Sequence, residues 1–93
     1  MDITIKAYGP QAGYLRAKPI HPSQEEIECK EENDQTIEAL FKLHLTPCFN
    51  FYQQLLKNRE NIEVIEPMEV REEMNRIIEK IYNTYKNNTS VKN

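Results

Sequence analysis

The residues from Thr36 to Leu45, TIEALFKLHL, alternate between two sets of side chains over their whole length. Successive side chains of an extended chain point to opposite faces, so Ile37, Ala39, Phe41, Leu43 and Leu45 share one face. A strand of this length with one dry face cannot stand alone. It demands neighbouring strands and a layer that covers the apolar side. Leu40 adds apolar area to the other face, which suits a central strand covered in part on both sides.

The rest of the chain supplies those neighbours. DITIKAY, from Asp2 to Tyr8, alternates with Ile3, Ile5 and Ala7 on one side and Thr4, Lys6 and Tyr8 on the other. EEIECKE, from Glu25 to Glu31, reads as a strand with Ile27 and Cys29 inward. Asn33 and Asp34 tolerate the left-handed geometry of the turn that joins it to Thr36. IEVIE, 62 to 66, predicts a last strand, and Pro67 forbids its continuation.

Three helices fit between and after these strands. GPQAGYLRAK predicts a short one, with Pro10 at the first helical position and Ala12, Leu15 and Arg16 at helical spacing; Gly13 weakens it by up to about 1 kcal/mol. TPCFNFYQQLLKN predicts a second, with Thr46 as N-cap, Pro47 at the first helical position and a stripe of Cys48, Phe51, Tyr52, Leu55 and Leu56. PMEVREEMNRIIEKIYNTYK predicts a third of roughly 20 residues, hence ~30 Å long. Val70, Met74, Ile77, Ile81 and Tyr85 run down one side of it, flanked by Ile78 and Tyr82. Glu69, Glu72 and Glu73 crowd its start and Lys80 and Lys86 its end, as the helix dipole prefers.

The fold class is therefore α+β. The first six elements follow the ferredoxin-like βαββαβ plan, a four-stranded antiparallel sheet with two helices on one face, its first and third strands central and a C-terminal helix added. One domain is expected over residues 1–87, with a disordered tail at 88–93.

Composition narrows the function classes. A chain of 93 residues with 39% apolar side chains can form one small core. A net charge of −3 gives no reason to expect nucleic-acid binding by bulk electrostatics. The acids Glu25, Glu26, Glu28, Glu31, Glu32, Asp34 and Glu38, set against Lys30, would repel a phosphate backbone; the bland reading is a solvated face guarding an edge strand. Cys29 and Cys48 lack CxxC spacing and read as buried, reduced thiols. No signal peptide and no apolar run near the ~20 residues of a membrane span occur, so a cytoplasmic location without a membrane partner is expected. No cofactor or metal is expected.

Candidate site residues are few. His21, Ser23 and Glu25 can be written as a triad, yet neighbours on an extended segment point apart and no glycine-rich turn offers an oxyanion hole. His21, Cys29, His44 and Cys48 lack zinc-ligand spacing. No enzyme activity is expected. His21, Ser23 and Gln24 either hydrogen-bond backbone groups that Pro19 and Pro22 leave unpaired, or contact a ligand or a neighbouring domain. Arg71 opposes the dipole of its own helix, so a carboxylate such as Glu63, Glu66 or Glu69, or else a phosphate or effector, should hold it. Ile77, Ile78, Ile81, Tyr82 and Tyr85 make a wide apolar arc that serves either the core or a second copy of the protein.

Two segments, YLRAKPIHPSQEEIE and LTPCFNFYQQLLKNRENIEVIEPMEVREEM, together resemble the C-terminal extension, of WCX type, in WYL-domain bacterial transcription regulators. The matching residues are Pro19, His21, Ser23 and Gln24, then Ile62, Glu63, Val64, Ile65, Glu66 and Pro67, then Val70 and Arg71. The resemblance implies a fragment of a longer chain whose winged helix-turn-helix binds DNA and whose WYL barrel senses an effector. It further implies a non-enzymatic module for dimerisation and signal relay, with a homodimer, the barrel and the winged helix as partners, DNA contacted only through those other domains, and an effector it leaves unnamed. The alternative is a free-standing small-molecule-binding domain with the His21–Gln24 loop as pocket rim.

Overall fold

β1 (Asp2–Tyr8), β2 (Glu25–Glu32), β3 (Gln35–His44) and β4 (Ile62–Glu66) form one antiparallel sheet in the order β2-β3-β1-β4. The computed structural model describes residues 1–91, with side chains to residue 87; the tail expected over 88–93 lies outside that fully described set. β1 and β3 are central, as their alternation requires. Their register sets Ile3 opposite Leu43, Ile5 opposite Phe41 and Ala7 opposite Ala39. β4 then brings Val64 beside Ile5 and Ile62 beside Ala7. One face of the sheet is thereby wholly apolar at its centre.

Helices close that face. α1 (Gln11–Ala17) contributes Ala12 and Leu15, α2 (Phe49–Lys57) contributes Phe51 and Leu55, and α3 (Met68–Val91) contributes Val70. Ile3, Ile5, Ala7 and Leu43 are completely shielded from solvent. Each large side chain sealed here is worth about 1.5–3 kcal/mol relative to exposure. The β2–β3 hairpin turns on Asn33 and Asp34, both left-handed, with φ of 54° and 63°. That pair of angles makes the two-residue turn whose twist matches the strands. Gly9, with φ of +56°, leads β1 into α1, and its N–H donates to the Ile37 carbonyl at 2.9 Å.

Several expectations are corrected. β2 is exposed along its whole length: Cys29, set opposite inward-facing Ala39 and reached by Arg16 of α1, stays uncovered, and Ile27 falls at a slip in the register and is exposed rather than buried. β2 is an edge strand, its pairing slips between Glu26 and Glu28, and the short α1 covers β1 and β3 rather than β2. The hairpin also carries Ile37 out of the cover, although it shares its face with Phe41. α2 begins at Phe49, not at Pro47, and Cys48 rather than Thr46 occupies the N-cap, with no side-chain capping bond. The cause is Leu45, whose N–H donates to the Met1 carbonyl at 3.0 Å and whose side chain packs on the core, prolonging the strand direction past His44. Cys48 consequently sits in solvent, and both cysteines are exposed free thiols rather than buried ones.

α3 is longer than the sheet can use. Its 24 residues span ~36 Å, and it lies against β4, a strand of 5 residues. Val70 is buried, Met74 packs on the core and Ile77 is half-buried; every residue from Ile78 to Asn87 is exposed.

Candidate functional site

Two regions hold the residues singled out from the sequence. The first is the connector between α1 and β2, where Pro19 and Pro22 have no N–H to contribute to a ladder. Side chains replace the missing backbone pairing. Gln24 donates through Nε2 to the Leu15 carbonyl at 2.8 Å and accepts the Ile20 N–H on Oε1 at 2.9 Å. Ser23 Oγ accepts the His44 N–H at 2.8 Å and lies 3.0 Å from the His44 carbonyl, to which it can donate. His21 Nδ1 accepts the Ser23 N–H at 3.1 Å and stands 2.7 Å from Ser23 Oγ.

The connector is thus sewn to the end of α1 on one side and to the end of β3 on the other. The Ser23 hydroxyl is engaged by both peptide groups of His44, which leaves it poorly placed to attack a substrate. An open depression of about 370 Å³ adjoins the connector, lined by Ile20, His21, Leu45, Cys48, Phe51 and Gln54 among others.

The second region is a groove of about 430 Å³ between β4 and the first half of α3, with Leu55 and Ile62 at its base. Met68, Arg71, Met74 and Ile78 form its helical wall. Arg71 Nη1 donates to Glu63 Oε2 at 2.6 Å and to the Val64 carbonyl at 2.7 Å, so it is held by one of the carboxylates expected of it and by the backbone of an edge strand. Glu63 also accepts the Tyr8 hydroxyl at 2.5 Å. Those two donors, Tyr8 first and Arg71 second, hold the Glu63 carboxyl below its ordinary range, and the same carboxylate pushes the Tyr8 phenol up. Arg71 is a strut between α3 and the sheet.

Some ion pairs that build this surface left no mark in the linear sequence. Arg16 grips Glu26 with two parallel bonds of 2.7 Å and also reaches Cys29 Sγ at 3.4 Å, tying α1 to β2. The hydrogen-bonded Arg16 guanidinium lowers the Glu26 carboxyl in turn. His44 Nδ1 meets Asp2 at 2.7 Å, which with Lys42 lowers that carboxyl. Only the strand register reveals such partners; the strand-forming pattern of each segment says nothing about what lies across from it.

From Ile78 at the end of the groove onward, α3 presents Ile78, Ile81, Tyr82 and Tyr85, exposed by 50, 43, 61 and 73%. Ile77, by contrast, is half-buried. The arc read as either core or contact surface therefore divides: one residue partly inside, four outside. Among the described residues, no group of three His, Cys, Asp or Glu could hold a metal ion, and no helix is long and apolar enough to cross a membrane.

The family model for the WCX domain matches residues 1–82, the whole sheet and most of α3. No curated protein and no solved structure matches the chain.

Proposed function

The chain belongs to the WCX domain family, and from that premise we infer that it is a non-enzymatic regulatory module of a WYL-domain transcription regulator. Its work on this reading is mechanical. It associates with a second copy, and the geometry of that pair sets the spacing of DNA-binding domains elsewhere in the regulator. An effector sensed by a WYL barrel shifts the pair between geometries by binding one better than the other. On this reading the domain follows the ferredoxin-like plan with an appended helix, which the strand order β2-β3-β1-β4 supports, and the sheet is the platform from which α3 extends.

One observation carries the reading. A small domain with an intact core nevertheless displays two isoleucines and two tyrosines on consecutive turns of one helix, a concentration of apolar surface that solitary domains seldom keep. The internally bonded connector supports the non-enzymatic part, because its serine, histidine and glutamine are committed to backbone groups. Sedimentation equilibrium of the 93-residue chain tests the association, with a concentration-dependent rise toward twice the monomer mass of 11.0 kDa expected. A constant monomer mass at every concentration overturns it.

A further inference from the structure

The exposed half of α3 is continuous with the groove on its first half. Arg71, Met74, Ile78, Tyr82 and Tyr85 recur at intervals of three and four residues, so the groove's helical wall and the exposed rings lie on one face. Charge divides along the same axis. On the groove side Glu72 lies in the first turns and Lys86 in the last, with Arg71 held by Glu63 and Glu79 between them; Glu69, Glu73, Arg76 and Lys80 lie on the opposite side of the helix, where Glu73 pairs with Arg76. Two such helices laid antiparallel place the outer half of each over the groove of the other and bring Lys86 of one copy near Glu72 of the other. Laid parallel, they oppose like charges and leave both grooves empty. A single self-complementary patch then satisfies a two-fold axis without further surface.

We propose that the groove between β4 and α3 receives α3 of a second copy, running antiparallel with the axis near Ile78, so that Tyr82 of each copy seats against Met74 of the other. The proposal rests on the self-association inferred above and adds its surface, direction and register. Buried aromatic side chains contribute at most about 150–250 Å² each. Two tyrosines and two isoleucines per copy, with the groove surface they cover, therefore give an interface near the lower bound of ~1,200 Å² for specific complexes.

Disulfide trapping decides the direction. In a Cys29→Ser, Cys48→Ser background, which removes both exposed native thiols, Asn75→Cys and Tyr82→Cys are introduced into separate chains distinguished by mass. Mild oxidation of the mixture should yield the Asn75→Cys/Tyr82→Cys heterodimer well above either homodimer. Alongside it, Tyr82→Glu in the unmodified chain should weaken association at least tenfold by sedimentation while leaving the far-ultraviolet circular dichroism unchanged. Preferential homodimers of each cysteine variant would indicate a parallel pair and overturn the proposal. Undiminished association of Tyr82→Glu would place the interface elsewhere, overturning the proposal but leaving the self-association reading intact. A chain that stays monomeric throughout removes both.

Discussion

The two halves of α3 are built from similar side chains and come to opposite ends. In the first half, Val70 is sealed at 1% exposure and Met74 packs on the core, because β4 and α2 lie beneath them. In the second, Ile78, Ile81 and Tyr82 continue at helical spacing with no sheet left to cover them. Periodicity states that a helix has an apolar side; it does not state how far the supporting layer reaches. Where that layer stops is set by the five residues of β4, and the apolar side beyond it is available for another molecule.

The sharpest way to break this comparison is to place the same charge in each half. Val70→Asp buries a carboxylate with no partner and should cost more than about 4 kcal/mol, enough to unfold a domain of this size. Ile81→Asp should change the stability of the monomer by less than about 0.5 kcal/mol, since its site is already wet. Urea titrations at a concentration low enough to keep the chain monomeric measure both. A large loss for Ile81→Asp there would mean that the outer half packs on its own domain, and the contrast would disappear.

The connector sharpens the comparison from the other side, since it is a surface region whose polar groups are spent internally. Gln24→Ala leaves the Leu15 carbonyl and the Ile20 N–H without their partner in a half-buried site, and about 1–3 kcal/mol of stability should go with it. Ser23→Ala should cost less, because its His44 partners lie at the rim where water can replace the hydroxyl. If Gln24→Ala is neutral in the same urea titration, the connector is held by something other than these bonds. A role as the rim of a binding pocket then regains ground.

Much of this architecture was legible in the sequence because it depends on period alone. The alternation of Ile3, Ile5 and Ala7 and of Ala39, Phe41 and Leu43 named the inner face of both central strands, and Asn33–Asp34 named the turn. The expectation failed at β2, where alternation of Ile27 and Cys29 looks the same whether or not a helix lies above it. It failed again at Thr46–Pro47, a favourable helix start overridden by the attachment of Leu45 to β1 and the core. At the candidate site, the connector's dependence on side-chain bonding followed from two prolines, and a carboxylate partner for Arg71 followed from its unfavourable place on the helix dipole. The identity of that partner, and the third member Tyr8, depended on which residues of β1 and β4 become neighbours. No local pattern encodes that.

A small expected effect concerns the strut between α3 and the sheet. Glu63 accepts hydrogen bonds from Tyr8 and Arg71, and both favour the charged carboxylate, so its folded-state pKa lies below the unfolded one. Folding gains from Glu63 at pH values above the unfolded pKa of about 4.3, and that gain is lost as pH falls through the folded value. The side chain is 36% exposed, so solvent screening holds the effect under about 1 kcal/mol. Glu63→Gln keeps an acceptor for Tyr8 but carries no charge to titrate. Between pH 7 and pH 3 the urea midpoint of the parent chain should therefore fall slightly further than that of Glu63→Gln. Equal declines would mean that Arg71 is not held by Glu63 in solution. The outward course of α3, on which its contact with a second copy depends, would then be free to vary.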